Sequence, residues 1–264
     1  MEPQRTTEEQ RYLDLLAYVV SNAIAGEIMA IDNYTSMVSL LSDTDEKIET
    51  VMQAKDEAKH VQALAKLGRR LDFPTRRRII EPQWRRVGAY VAEQAARGDL
   101  ASCIIAQDIM VETMAVVAYR TLQRNTDIDT TKLAANILED ELAHLQIGID
   151  RLKAMLDRDD RLVHERLRQT HEVVMPELFS MISYRCHSLC GDLGVVCSNI
   201  GLDSIRTDID AVRVEALDTY MEKLDRVGFD TRVTAPLIAQ LEEFGERPWI
   251  DEAGGGCHTG ACHA

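Results

Sequence analysis

Between residues 9 and 41, apolar or small side chains recur at Leu13, Leu16, Val20, Ala23, Ala30, Tyr34, Met37 and Leu41. Steps of three and four place most of them on one stripe of a long amphipathic helix. Glu27 occupies a position in that stripe. A second helix is expected to start at a cap on Asp43 or Thr44, with Glu46 and Lys47 near its beginning, and to run to Gly68. Its stripe includes Glu57, His60, Leu64, Leu67 and Leu71. Residues 72–87, with Pro74 and Pro82, read as an irregular connection holding at most short helical pieces. A third helix follows Gly98-Asp99, with the stripe Ala101, Ile105, Asp108, Glu112, Ala115, Tyr119, Leu122. The fourth follows Asp129-Thr130 and reads Ala134, Ile137, Glu141, His144, Gly148, Met155. Further helices are expected near 158–187, 204–227 and 232–244. The pattern predicts an all-α chain: a four-helix bundle with additional C-terminal helices over residues 1–245, then a flexible tail over 246–264 ending GGGCHTGACHA.

The polar residues inside these stripes form a repeat. Asp56-Glu57-Ala58-Lys59-His60 and Asp140-Glu141-Leu142-Ala143-His144 share the form D-E-x-x-H, and each has a lone Glu, Glu27 or Glu112, about 30 residues upstream on its own helix. Two copies of one helix hairpin are therefore present. A one-turn spacing puts Glu57 and His60 on the same face, and Glu141 and His144 likewise. Four carboxylates converging in one core would repel unless cations neutralised them, because burying an unpaired charge is costly. Glu on two helices with Glu-x-x-His on the other two is the ligand pattern of ferritin-like di-iron and di-manganese proteins. Carboxylates with one imidazole per metal favour iron or manganese. The expected ligands are Glu27, Glu57, His60, Glu112, Glu141 and His144. Asp56 and Asp140, each four residues before a His, are expected to accept a hydrogen bond from the imidazole nitrogen facing away from the metal.

The stretch from Gly26 to Tyr34 resembles the first metal helix of aldehyde-deformylating oxygenases. The similarity continues through Gly98 to Cys103, Glu112, Ala118-Tyr119, Glu141 to Leu145 and Val227 to Arg232, covering most of residues 12–243. It implies the same six ligands, with Tyr34, Gln107 and Tyr119 as catalytic groups beside the metals. It also implies two iron ions, with manganese as the alternative, O2 as co-substrate, and an electron donor such as ferredoxin with its reductase. The chain departs from that family in having Gln83-Trp84, then Arg85-Arg86, where the family has a Phe pair near the metals. Asp56 before the first Glu-x-x-His, a Cys-bearing insertion around 185–203 and the Cys-His tail are further departures. A second resemblance is to di-iron proteins of azoxy natural-product pathways of the valanimycin type, where a hydrazine nitrogen is oxidised. The expected function is O2-dependent oxidation of a small organic metabolite through a di-iron peroxo species, N-oxygenation of an amine or hydrazine being favoured. The alternatives are deformylation of a fatty aldehyde, iron storage or a structural ferritin-like role, and a radical-generating reductase subunit using Tyr34 or Tyr119.

Composition narrows the partners. The formal net charge is −14, which argues against nucleic acid, since phosphate contacts need surplus Lys and Arg. With 45% hydrophobic and 28% charged residues, no run of 18 apolar residues and a polar N-terminus, a soluble, cytoplasmic protein without a membrane span is expected. Arg69, Arg70, Arg76, Arg77, Arg78, Arg85 and Arg86 are read either as a docking patch for an acidic electron donor or as a solvated loop. Asp108, one turn before Glu112, is read either as a group beside the ligands or as a cap on water at the bundle end. Cys103 is expected in the core, and His164 and His171 on the surface. Cys186, His187, Cys190 and Cys197, with Cys257, His258, Cys262 and His263, are read as a zinc clamp, a thiol relay resembling the tails of ribonucleotide reductase large subunits, or unrelated thiols.

Overall fold

The structure, a computed structural model, describes residues 7–76, 82–125, 127–183 and 209–246. Helices α1 (Thr7–Met37) and α2 (Thr44–Leu71) form one antiparallel hairpin, a short 3-10 turn at Val38–Leu40 intervening. The other hairpin comprises a long rod and α6 (Ile128–Arg158). The rod is made of α4 (Leu100–Ile104), a π-helical stretch at Ile105–Val111, and α5 (Glu112–Asn125). Helix α3 (Pro82–Ala96) packs on α1 and on α7 (Asp160–Ser183). Helix α8 (Ile209–Val227) lies on α5, α6 and α7, and α9 (Thr231–Glu246) lies on α7 and α8.

Local chemistry sets the helix starts. Asp43 caps α2 by accepting from the backbone N–H groups of Asp45 (2.8 Å) and Glu46 (3.0 Å). Asp127 does the same for α6 through Asp129 and Thr130, so that helix begins at Ile128, earlier than the Asp129-Thr130 pair suggested. Helix α2 continues past Gly68 to Leu71 and is stopped by Asp72 in the left-handed region at φ 57°. The connection expected over 72–87 is shorter than anticipated, because α3 is a helix of 15 residues starting at Pro82. Proline suits a first helical turn, where its missing N–H has no partner to lose. Val87, Val91 and Gln94, four and three apart, bury its inner face.

The core has two apolar layers. One gathers Tyr34, Met37, Ala54, Ile105, Ile109, Leu145 and Ile149; the other gathers Leu16, Val20, Ile24, Leu64, Leu67, Tyr119, Leu122 and Ile137. The four bundle helices cross from one layer to the other at Glu27, at Glu57 and His60, at Glu112, and at Glu141 and His144, so the acidic residues form a polar slab between two dry ones.

Two stretches, Tyr12–Leu40 and Leu100–Arg124, are long and apolar enough to cross a membrane by length and composition, contrary to the expectation from run length. Of their most apolar windows 61% and 83% is buried inside the protein, which accounts for their hydropathy as core packing.

Candidate metal centre

Glu27, Glu57, His60, Glu112, Glu141 and His144 are all buried and converge on the polar slab. Their ligand atoms fall into two groups, Glu27–Glu57–His60–Glu141 and Glu57–Glu112–Glu141–His144, each with all its atoms within 4.8 Å of one another. Glu57 and Glu141 belong to both groups. The geometry is that of two adjacent cation sites, each with its own Glu and His and sharing two carboxylates.

Imidazole orientation matches that arrangement. His60 Nδ1 lies 3.1 Å from Glu57 Oε2, 3.4 Å from Glu27 Oε2 and 3.4 Å from Glu141 Oε1. His144 Nδ1 lies 3.1 Å from Glu57 Oε1 and 3.6 Å from Glu141 Oε2. Both Nδ1 atoms point into the slab and both Nε2 atoms point out. The outward partners are exchanged relative to expectation: His60 Nε2 is 3.1 Å from Asp140, and His144 Nε2 is 4.0 Å from Asp56. Each Asp precedes its own His by one helical turn, yet it reaches the His of the facing helix, because α2 and α6 lie side by side.

Without a cation the slab is electrostatically strained. Burial, then repulsion from Glu141, drives the Glu57 and Glu112 carboxyls well above the ordinary range. For Glu141 burial pushes upward, but the close approach of Glu112, His144 and His60 outweighs it and holds the carboxyl below its usual range. Burial opposes charge on His144, yet Glu141 and Glu112 carry its pKa up to about 9. His60 is likewise raised, burial being overcome by its three carboxylate neighbours. Glu57 Oε1, both Glu141 oxygens and His144 Nδ1 lack a well-formed hydrogen bond and face the slab. Orphaned buried polar atoms of this kind are what a pair of cations would satisfy.

Around the slab, Tyr34 donates to Glu112 Oε1 at 2.6 Å and Gln107 Nε2 donates to the same oxygen at 2.8 Å. Tyr119 donates to Glu27 Oε1. The three groups expected to act beside the metals thus hold the two unshared carboxylates, and burial raises both phenol pKa values well above normal. Sequence reasoning missed two members of this network. Asn33 Nδ2 donates to Gln107 Oε1 at 2.7 Å, and Gln53 Nε2 donates to the Tyr34 oxygen at 3.2 Å. Gln53 stands one turn before Glu57, and a polar residue there on the buried stripe was the available signal. Asp108 is fully buried beside Tyr34, in the π-helical stretch, and desolvation raises its carboxyl to about 7 against the pull of Arg151 and His144.

Other expectations resolve differently. Trp84 packs over Gly26, where an added Cβ would stand 3.1 Å from its ring, and bonds Asn22 at 2.8 Å. Arg85 and Arg86 are exposed, and Arg86 makes a paired bond to Glu177 at 2.6 Å, so these cations point outward and do not line the centre. Arg70 bonds Asp129 at 2.8 Å, while Arg77 and Arg78 lie outside the described residues. Cys103 is buried; the other five Cys, with His187, His258 and His263, lie outside the described residues. His171, expected on the surface, is buried with Nδ1 3.1 Å from the Tyr220 hydroxyl, because α8 covers that face of α7.

Among solved structures, a protein with aldehyde deformylating oxidase activity from Synechococcus superposes with a TM-score of 0.70 at 19% identity, covering 86% of this chain and 97% of that one. An R2-like ligand-binding oxidase with a Mn/Fe cofactor superposes with a TM-score of 0.65 at 17% identity, covering 84% and 82%. Residues 9–241 match the family described as long-chain fatty aldehyde decarbonylase. With the slab of four Glu and two His, the chain is a ferritin-like, non-haem di-iron oxidoreductase, and it belongs to the long-chain fatty aldehyde decarbonylase family.

Proposed function

We propose that this enzyme is an O2-dependent oxygenase that N-oxygenates a small amine or hydrazine. In this reading Glu27 with His60 would hold one metal and Glu112 with His144 the other, with Glu57 and Glu141 available to both. Bound iron supplies the redox chemistry that activates O2, and manganese suits the same donor set. Tyr34 and Gln107 fix the free carboxylate of Glu112, and Tyr119 fixes that of Glu27, so the ligands are oriented before substrate arrives. Asp140 keeps His60 presenting Nδ1 inward.

The observation that carries the substrate class is the polar cluster of Asn33, Gln107, Tyr34, Gln53 and Asp108, all buried against the slab. A long alkyl chain gains nothing from such a surface and leaves Gln53 Oε1 and the Asp108 oxygens unpaired, whereas a compact polar metabolite can satisfy them. Transfer of one oxygen atom to nitrogen, with the other leaving as water, consumes two electrons and two protons. An external donor such as ferredoxin with its reductase supplies the electrons, and the enzyme works in the cytoplasm. A second reading, deformylation of a fatty aldehyde, is favoured by the family match and by the Synechococcus relative.

Two experiments test this. Elemental analysis after anaerobic ferrous loading should give about two irons per chain, falling well below one in a Glu112→Ala, His144→Ala double variant. Turnover under labelled O2 should place the label on nitrogen of an alkylamine or alkylhydrazine. Efficient alkane formation from a C16–C18 aldehyde, with no oxidised nitrogen product, would reverse the ranking.

A further inference from the structure

Three buried acceptor atoms beside the metal slab have no donor. They are both carboxylate oxygens of Asp108 and Oε1 of Gln53, on side chains 0% and 2% exposed. They gather around Tyr34. Gln53 Nε2 donates to the phenol oxygen; the Tyr34 hydroxyl also lies against Asp108, but its single proton is directed at Glu112 Oε1, and neither Asp108 oxygen receives a well-aligned hydrogen bond. The nearby cation, Arg151, is engaged elsewhere: it bonds Glu49 at 2.7 Å, Thr50 Oγ1 at 2.9 Å and the Glu46 carbonyl at 3.0 Å. Its Nε has no partner either, and it makes no bond to Asp108. The backbone brings the carboxylate here deliberately in steric terms. The π-helical turn bulges toward α6, and Gly148 is the residue that makes room, since a Cβ there would stand 2.3 Å from Asp108 Cβ.

Orphaned polar atoms in a native core mark a missing water, ion or ligand group. What this group must bring is donors, and a positive charge would in addition hold Asp108 ionised against its burial. Water brings two donors but also lone pairs, and no charge. A divalent cation wants several hard oxygens, and one carboxylate with one amide is too few. An aldehyde carbonyl has no donor at all. A protonated amine has three donors, no acceptor and a full positive charge. We infer that Asp108 and Gln53 form the seat for a protonated nitrogen of the substrate, which is therefore a metabolite carrying an ammonium or hydrazinium group. This rests on the reading of the site as one for a small polar metabolite, and it names the charged handle. The seated nitrogen is not the one oxidised, because a protonated nitrogen has no lone pair to receive oxygen; the substrate therefore carries a second, unprotonated nitrogen, as a hydrazinium or a diamine does.

The test is binding to the anaerobic diferrous enzyme, measured by calorimetry with n-butylammonium chloride and with n-butanol as its neutral counterpart. The ammonium should bind at least tenfold more tightly than the alcohol. Asp108→Asn keeps the shape and removes the charge, so it should weaken ammonium binding by about 10- to 100-fold while leaving alcohol binding and iron content unchanged. Gln53→Met should weaken it by a smaller factor, and it carries the test if Asp108→Asn does not fold. Equal affinity for the two probes, or equal ammonium affinity in wild type and both variants, overturns the inference and leaves a hydrated or Arg151-paired carboxylate. Because no turnover is involved, the outcome is separable from the reading it rests on. An enzyme that prefers ammonium through Asp108 but oxidises no nitrogen compound refutes N-oxygenation alone.

Discussion

The imidazole of His60 reaches across the bundle: its Nε2 lies 3.1 Å from Oδ2 of Asp140, a residue of the other D-E-x-x-H segment. The two halves of the repeat are therefore laced together at the polar slab. Loss of a carboxylate behind a ligating His usually lowers metal affinity by about 10- to 100-fold. Asp140→Ala should do so, whereas Asp56→Ala, whose carboxylate stands 4.0 Å from His144, should have a weaker effect. Ferrous titration of the two variants compares them directly, and an Asp56 effect equal to or larger than that of Asp140 would contradict the geometry.

Metal loading should release protons. In the metal-free protein Glu57, Glu112 and His60 are raised in pKa and His144 stands at about 9, so several of these groups carry protons at neutral pH. A cation must displace them, so its affinity rises with pH, by about tenfold per unit for each proton released. Anaerobic Mn2+ titrations at pH 6.5 and 8.0 measure the slope. An affinity that is flat over this interval would mean that the slab is already deprotonated without metal.

Gly148→Ala should be destabilising despite the better helix propensity of alanine. The new methyl would stand 2.3 Å from Asp108 Cβ and 3.2 Å from the Asp108 carbonyl oxygen, so backbone must move. Overpacking of that kind costs about 1–3 kcal/mol and outweighs the ~1 kcal/mol propensity gain. Urea unfolding reads the net loss, and a stabilised variant would show that the π-helical turn and α6 are not in contact.

His171 makes stability depend on pH at a place remote from the metals. Burial lowers its pKa to about 4, below the unfolded value, so the unfolded chain binds the extra proton first as pH falls. The contribution of neutral His171 is intact above about pH 6.5 and is progressively lost between there and pH 4. At pH 5 the loss amounts to about 2 kcal/mol. A His171→Gln variant lacks this titration. Its stability difference from wild type, by urea unfolding at pH 7 and pH 5, should shift by that amount in its favour at the lower pH.

The arginines between α2 and α4 bear on donor docking. Arg69 and Arg70 are exposed at the end of α2, where Arg70 is paired with Asp129, and Arg76 is exposed in the following connection, its backbone N–H bonded to Ser21. Reversing the charge of Arg69 and Arg76 should reduce ferredoxin-supported turnover several-fold at low salt and little at high salt, where exposed charges are screened. Unchanged turnover at low salt would reduce the patch to a solvated surface.

The amino-acid pattern by itself determined the bundle and the six residues that converge in it. A stripe of period three to four fixes which face of each helix is inward, and Glu27, Glu57, His60, Glu112, Glu141 and His144 stand on those faces. The doubled hairpin required them to meet at one level. Helix α3 was not read: its buried Val87, Val91 and Gln94 stand four and three apart, but Pro82 and the arginines around it masked the stripe. Tertiary structure alone decided the rest. Periodicity is a property of one helix, so it could not say that Asp140 serves His60; that follows from α2 lying against α6. Nor could it place His171 in the core, since only the packing of α8 covers that face. The π-helical turn at Ile105–Val111 shifts register by a fraction of a turn, which no 3.6-residue pattern encodes. That shift, with the space left by Gly148, sets the Asp108 carboxylate beside Tyr34 without a partner.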